Sequence, residues 1–348
     1  MGNCILSVIV PVYNGQDYLS NIVQNILDKN KKISNWLEII FVDDGSTDDS
    51  SDILDKLSEE NSNITVLHKK NGGIASARDL GLKHSKGKFF SFMDQDDRLE
   101  KSYEDCLQKM ISTEADMLIG DFQILRSDDI LQVQKMGILS DLIVEGNDVR
   151  SLLCSFISKN ISKDSRFKNI NIHPSIWNCI FRRDCMLANQ CKVFKFVDYE
   201  DDWLFLVQSL LASKRIVLTN NFFYCWKENL TSESHSSKYI SNLLEKKNNL
   251  KNWISNLLDQ LSVNITAKNT VLYNFEGHSF LECFYNSSKN LSYKDYLNEI
   301  SQIESLNVDH FSSINFGLIG NVFKILLLKH FYSLSYFINH YFVKRGFH

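Results

Sequence analysis

Phe89-Phe90-Ser91-Phe92-Met93-Asp94-Gln95-Asp96-Asp97 is the stretch on which the fold turns. The bulky apolar run after Gly87 suits a strand covered on both faces. Three aspartates then fall within four positions, where such a strand would emerge. In an open α/β sheet, ligands bind at the carboxyl ends of the strands. Carboxylates this close repel one another, so a site that gathers them supplies a cation. Hard oxygen ligands at this spacing suit Mg2+ or Mn2+, which in turn hold phosphates. Alone, D-x-D-D is more often an acidic turn, with Asp97 capping a helix that starts near Glu100. Its surroundings have to decide.

Upstream, the same pattern recurs. Leu6 to Tyr13 is a short β-branched run, hence a buried strand, which Pro11 should end because it cannot donate to a ladder. Asn14-Gly15 signals a turn. Tyr18, Leu19, Ile22, Ile26 and Leu27 follow at helical spacing. Leu37 to Val42 is a second strand and runs into Asp43-Asp44-Gly45-Ser46-Thr47-Asp48. A helix carries Ile53, Leu54 and Leu57, a third strand spans Ile64 to Leu67, and Asn71-Gly72-Gly73 opens a helix through Ala75, Ala77, Leu80 and Leu82. Strands alternating with helices argue a doubly wound, mainly parallel sheet. Tyr13-Asn14, Asp43-Asp44 and Asp94 to Asp97 each follow a strand, so a parallel sheet brings all three to one edge.

Downstream, Tyr103 to Ile111 reads as a helix and Asp116 to Ile119 as a strand, with further short strands between 122 and 145. Asn147 to Ser158 reads as helical and 159 to 171 as a mobile polar loop. Glu200-Asp201-Asp202 opens a helix to about Leu211, and Ile216 to Leu218 and Phe222 to Trp226 read as two closing strands. The composition shifts near residue 235 to helices rich in Leu, Asn and Lys. With 348 residues, 44% hydrophobic and 23% charged, the chain is ordinary globular material. Its net charge of −4 gives no electrostatic case for nucleic acid. Eight scattered cysteines without a C-x-x-C pair read as free thiols in a reducing cytosol. Ile5 to Val12 is too short, and lacks the basic flank, for a signal peptide.

Taken in order, Val8-Ile9-Val10-Pro11-Val12-Tyr13-Asn14, Val42-Asp43-Asp44-Gly45-Ser46-Thr47-Asp48, Asn71-Gly72-Gly73, Ala77-Arg78-Asp79-Leu80-Gly81, Gly87-Lys88 and Phe92 to Asp97 resemble the family 2 glycosyltransferases, which have the GT-A fold. The resemblance covers roughly residues 5 to 228. It implies a GT-A catalytic domain over 1–234, with a nucleotide-sugar half (1–120) and an acceptor half (121–234); the mostly α-helical region, 235–348, is read from composition and lies beyond the resemblance. The resemblance implies inverting transfer from a nucleotide sugar, a UDP-sugar by default, to a glycan or lipid-linked glycan hydroxyl, as in capsule, O-antigen or lipooligosaccharide synthesis. Pro11 and Tyr13 would pack around base and ribose. Asp44 would hydrogen-bond the base, with Asp43 beside it. Arg78 would face the diphosphate or position the aspartates, and Gln95 would lie in the same donor loop. Asp79 stands where the family usually has Asn, and is expected to point away from phosphate. Asp96 would be the principal ligand of Mn2+ or Mg2+, with Asp94 and Asp97 contacting ribose, metal or donor sugar. Asp202, with Phe205 three residues on, matches the family's base motif; Asp201 is its neighbour and Glu200 the fallback. A base at a helix N-terminus should tend to stay ionised. Trp177, in a W-N-x-I-F-R-R segment, could form a sugar platform or pack in the core; Arg182 and Arg183 could meet phosphate or brace the next helix. His235 is a weaker candidate ligand.

After Asp309 no acidic residue appears, while Lys324, Lys329, Lys344 and Arg345 do, among aromatic and aliphatic residues. This tail suits a helix lying on an anionic membrane surface, on the cytoplasmic face, or a helix packed on the catalytic domain or at a homodimer interface. No uncharged run is long enough to span a bilayer. Two rivals remain in view. A sugar-nucleotide pyrophosphorylase would carry an Arg-containing Gly-rich loop where Tyr13-Asn14-Gly15-Gln16-Asp17 stands. A degenerate, scaffold-only transferase would have lost the acids that are present here.

Overall fold

The computed structural model describes residues 4–126, 129–158, 166–193, 200–228 and 240–303. The chain divides into two compact units, Met1–Asn229 and Leu230–His348. In the first, β1 (Leu6–Val12), β2 (Leu37–Asp43), β3 (Ile64–His68) and β4 (Phe89–Phe92) lie in parallel in the order β3-β2-β1-β4. Helices α1 (Leu19–Lys29), α2 (Ser50–Glu60) and α3 (Ile74–His84) connect them. The chain winds outward from β1 to β3, then crosses back to place β4 on the other side of β1. The reversal between β1 and β4 opens the crevice where such sheets bind ligands. β1, β2 and β4 are buried along their whole length, as their unbroken apolar runs require.

Each residue of Ala77-Arg78-Asp79-Leu80-Gly81 has a task on α3. Ala77 and Leu80 pack on Ile40 and Val42 of β2. Gly81 lets the helix approach β1, since a Cβ there would fall 2.4 Å from Ile9 Cγ2. Asp79 Oδ1 accepts from the Val193 amide at 2.8 Å. The expectation that this carboxylate serves something other than phosphate agrees with that bond.

The sheet continues through the second half of the unit. Here lie β5 (Arg98–Leu99), α4 (Tyr103–Thr113), β6 (Met117–Arg126), β7 (Asp129–Gln134), β8 (Leu142–Glu145), α5 (Asn147–Ile157), β9 (Cys179–Arg182), α6 (Arg183–Ala188), α7 (Asp201–Ala212) and β10 (Arg215–Lys227). Beyond β4 the order is β9-β6-β10-β5, with β7 on β6 and β8 on β10. β9 runs antiparallel to both β4 and β6, while β10 is parallel to β6. The two expected closing strands are one strand, β10, with register shifts between Thr219 and Tyr224. Asn220-Asn221 reads as a turn, but the pair is absorbed as a bulge, where Thr219 Oγ1 accepts from the Asn221 amide at 3.3 Å. β1 likewise runs past Pro11, pairing Val12 with Asp43.

A cluster of phenylalanines fixes α7 to this sheet. Phe205 packs its ring edge against Phe92 (5.7 Å between centroids) and Phe181 (5.2 Å), and Phe90 stacks on Phe181 at 5.1 Å. All four are fully buried. Burying such a ring contributes roughly 1.5–3 kcal/mol, so Phe205 anchors the helix whose first turn carries Asp201 and Asp202.

In the second unit, α8 (Leu243–Gln260), α9 (Ile265–Asn290) and α10 (Tyr293–Ile303) are described. α8 buries Leu243, Leu250, Ile254 and Leu257, and Lys247–Glu282 and Lys251–Glu276 pair it antiparallel to α9. Asn264 caps α9 by accepting from the Ala267 amide at 2.9 Å. No helix among the described residues is long and apolar enough to cross a membrane. His235 and the basic tail through Lys324, Lys329, Lys344 and Arg345 lie outside the described residues, as does most of the expected loop at 159–171.

Candidate active site

Three strand-end loops meet at the crevice and are tied to one another by hydrogen bonds. Gln95 clasps Tyr13: its Oε1 accepts from the Tyr13 amide at 3.0 Å and its Nε2 donates to the Tyr13 carbonyl at 3.1 Å. This spans the reversal between β1 and β4. Asn14, at φ +50°, donates its amide to Ser46 Oγ at 3.0 Å and accepts from the Thr47 amide at 2.8 Å. Gly15 donates to Ser50 Oγ at 2.8 Å, and a Cβ on it would meet Gln95. The Tyr13 ring is 45% exposed, free to lie against a base. Pro11 is buried inside β1, so the structure corrects its expected contact with the ligand: only Tyr13 of the pair presents a ring.

Asp43 and Asp44 are both buried and both engaged. Asp43 Oδ1 accepts from the Ser46 amide at 2.9 Å, and Oδ2 faces His68 Nδ1 at 3.1 Å. Burial would raise the Asp43 carboxyl, but Ser46 and His68 hold it below the ordinary value. Asp44 accepts from the amides of Gly72 (3.0 Å) and Gly73 (2.8 Å) and pairs with the Lys69 ammonium. The Gly-rich loop is therefore folded onto Asp44. Gly45, at φ +74°, is required there, since a Cβ would fall 2.7 Å from the Asn71 amide.

Arg78 joins the donor loop to α7. It is 3% exposed, and it donates from Nη2 to Asp94 Oδ1 at 2.5 Å and from Nη1 to Asp202 Oδ1 at 2.7 Å. Its guanidinium carbon lies 5.8 Å from the centre of the Phe92 ring. Burial disfavours the charge, but Asp202 and Asp94 more than restore it, and the guanidinium stays charged. Of the two roles expected for Arg78, positioning the aspartates is the one these bonds perform. Asp202 keeps 31% of its side chain exposed. Burial nonetheless pushes its carboxyl above the ordinary value; Arg78 pulls down, Asp94 pushes up, and burial wins. The helix N-terminus does not by itself offset that burial. Asp201 shares the first turn of α7, and Glu200 caps it at φ +54°, in the left-handed region.

Asp97 is held from the far side of the sheet. Tyr224 donates its hydroxyl to Asp97 Oδ2 at 2.6 Å and accepts from the Asp94 amide at 3.1 Å, while the Lys227 amide donates to Asp97 Oδ1 at 2.7 Å. With both oxygens so engaged, Asp97 helps to shape the acidic turn. Trp177 is 6% exposed, stacked on Tyr224 at 4.7 Å and edge-on to Phe122 at 4.5 Å. A sugar platform needs an open face, so Trp177 supports Tyr224 from the core instead. Arg182 pairs with Asp116, and Arg183 donates to Ser85 Oγ at 3.1 Å; both brace the fold.

A divalent cation fits the acidic loop by charge. Burial, then the charges of Asp94 and Asp96, push the Asp97 carboxyl well above its ordinary value. A cation relieves that crowding. Asp96 and Asp94 are acids of that loop that could hold it. Among the described residues no three His, Cys, Asp or Glu side chains are arranged to enclose an ion. Mg2+ takes one or two protein carboxylates and fills the rest of its shell with phosphate and water. Three participants were not singled out from the sequence: Tyr224, Lys69 and His68. Only the polar Lys69 and His68, just past a strand end, left a local signal; Tyr224 sits in an apolar run.

The family model described as Glycosyl transferase family 2 matches residues 7–185. The chain is 38% identical over 120 residues to glycosyltransferase GlyG of Streptococcus pneumoniae, covering 34% of this chain and 39% of that protein. It is 26% identical over 274 residues to GlyA of the same organism, covering 78% and 36%. It is 24% identical over 259 residues to the cholesterol galactosyltransferase of Borreliella burgdorferi, covering 69% and 66%. The chain thus spans less than two fifths of the length of the two pneumococcal relatives. Residues 1–349 of Staphylococcus aureus TarS, solved in complex with UDP-GlcNAc, superpose with a TM-score of 0.64 at 20% identity, covering 99% of this chain and 91% of that one. At that identity the likeness speaks for the fold, a GT-A sheet.

Proposed function

This chain belongs to glycosyl transferase family 2, and from that footing we propose that it is an inverting, metal-dependent glycosyltransferase. Its donor is a UDP-sugar and its acceptor a hydroxyl of a bacterial surface glycan, free or lipid-linked. The observation that carries the reading is buried Arg78, bonded to both Asp94 and Asp202. One residue sets the spacing between the donor loop and the carboxylate on α7. Tyr13 receives the base. Asp96 and Asp94 would hold the Mn2+ or Mg2+, which when bound neutralises the diphosphate leaving group. Asp202 takes the acceptor hydroxyl proton as the new bond forms. Its raised affinity for protons serves that step, and Arg78 keeps the base from being protonated outright. The donor class is supported by the UDP and UDP-GlcNAc complexes of TarS; the glycan acceptor follows from the motif resemblance.

The test is a donor panel. UDP-, GDP-, CMP- and dTDP-sugars are incubated with the protein in Mn2+ or EDTA, and nucleotide release is measured. The reading expects slow release from UDP-sugars in Mn2+, lost in EDTA and lost in Asp96→Ala. Failure to bind any nucleotide sugar, with or without metal, would overturn it in favour of a scaffold role.

A further inference from the structure

We propose that His68 is a positioning residue of the nucleotide site: as an imidazolium bridging Asp43 and Asp55, it fixes the Asp43 carboxylate and through it the loop that receives the base. The proposal rests on the transferase reading for the identity of the ligand.

The parallel register sets His68, the last residue of β3, directly beside Asp43, the last residue of β2. Nδ1 lies 3.1 Å from Asp43 Oδ2, and Nε2 lies 3.0 Å from Asp55 Oδ1 on α2. Carboxylates accept and do not donate. A ring that donates to both carboxylates carries hydrogen on both nitrogens, the imidazolium form. The bond to Asp43, then that to Asp55, raise the affinity of His68 for its proton, outweighing partial burial. These two acids are the ionisable groups that face the ring from the elements packed on it. Lys69, its chain neighbour, is paired to Asp44.

The charge on His68 reaches the base site through a chain of hydrogen bonds. Asp43 accepts from the Ser46 amide, Ser46 Oγ accepts from the Asn14 amide, and Asn14 follows Tyr13. A neutral ring has a different partner to hand. Ser51 Oγ lies 3.2 Å from Nδ1 and can donate to it, while Nε2–H keeps its bond to Asp55. Loss of the proton thus leaves one N–H for two carboxylates, and the bridge that fixes Asp43 is broken. The sign follows. Because the folded ring holds its proton above the ordinary value, the bridge between Asp43 and Asp55 is complete at low pH and is lost as pH rises through the His68 value.

The experiment measures UDP affinity in Mg2+ from pH 6 to 9 for the intact chain and its His68→Gln and Asp55→Asn variants. The ring proton of His68 is followed by NMR over the same range. UDP's own ionisation is common to all three proteins, so the comparison between them carries the result. The expected outcome is that wild type loses about fivefold in affinity relative to His68→Gln across the His68 titration. His68 should titrate above about 6.5, and Asp55→Asn should shift both the titration and the affinity loss to lower pH. Parallel profiles for wild type and His68→Gln, or a His68 titration at or below the ordinary value, would overturn the proposal. Wild type that binds no UDP at any pH would defeat the transferase reading along with it.

Discussion

The two sides of the sheet reach the crevice by different means. On the parallel side, β1, β2, β3 and β4 each end at the crevice and deliver their polar residues by chain direction alone: Tyr13, Asp43, His68 and Asp94 all sit just at or past a strand end. On the mixed side the side chains that reach the crevice come from elsewhere. Tyr224 arrives from within β10, Trp177 from the approach to β9, and Asp202 from the first turn of α7. The parallel side places groups by a repeated local rule; the mixed side places them by packing between residues distant in sequence. Two side-chain contacts at the crevice serve as stitches between the sides: Arg78 to Asp202, and Tyr224 to Asp97. A function that needs both sides should fail when either stitch is cut, and the two cuts should fail differently.

The largest effect expected is on chemistry. Asp202→Asn should lower turnover by about 10²–10⁴ while leaving UDP affinity within about twofold, because the parallel side keeps its bonds. A matching fall in affinity would show that the two sides are not separable. Arg78→Met comes next. It leaves Asp94 and Asp202 facing each other without their shared partner, and breaking a buried pair costs about 3–5 kcal/mol; the partial exposure of both acids places the result at the low end. Denaturant unfolding measures it, and the double variant Arg78→Met with Asp202→Asn should recover part of the loss. Gly81→Ala acts on the parallel side alone. Its Cβ would press on Ile9, and overpacking of that kind costs about 1–3 kcal/mol. Turnover per folded molecule should hold.

The same contrast explains what could be read from residues in order. The βαβ alternation, the three polar clusters and their common edge follow from local apolar runs and chain direction. Asp202 was legible through Phe205 three positions on, and the Phe cluster shows why: the ring seats α7 so that its first turn meets Arg78. What escaped was set by pairing. Asn220-Asn221 has every mark of a turn, yet β6 carries β10 straight past it. Trp177 has a sugar platform's chemistry, but Tyr224 covers its face. Asp97 looks like Asp96 in sequence, and differs only because Tyr224 and the Lys227 amide, 127 and 130 positions away, take its oxygens. The family match over residues 7–185 ends before α7 and β10, where these long-range contacts originate.

The smallest effect tests the second stitch. Tyr224→Phe keeps the ring on Trp177 and removes only the hydroxyl, leaving the Asp94 amide without its acceptor and Asp97 Oδ2 without that donor. Stranding such groups costs about 1–3 kcal/mol, measured by denaturant midpoint. The sharper readout is the cation. Losing the Tyr224 hydrogen bond removes one influence that lowers the Asp97 proton affinity, which shifts the loop away from negative charge. Mn2+ dependence of turnover should shift to higher concentration by about threefold, with UDP affinity in the absence of metal unchanged. A stability loss with no change in Mn2+ dependence would make Tyr224 and Asp97 scaffold only. The mixed side would then contribute Asp202 and nothing more to the chemistry.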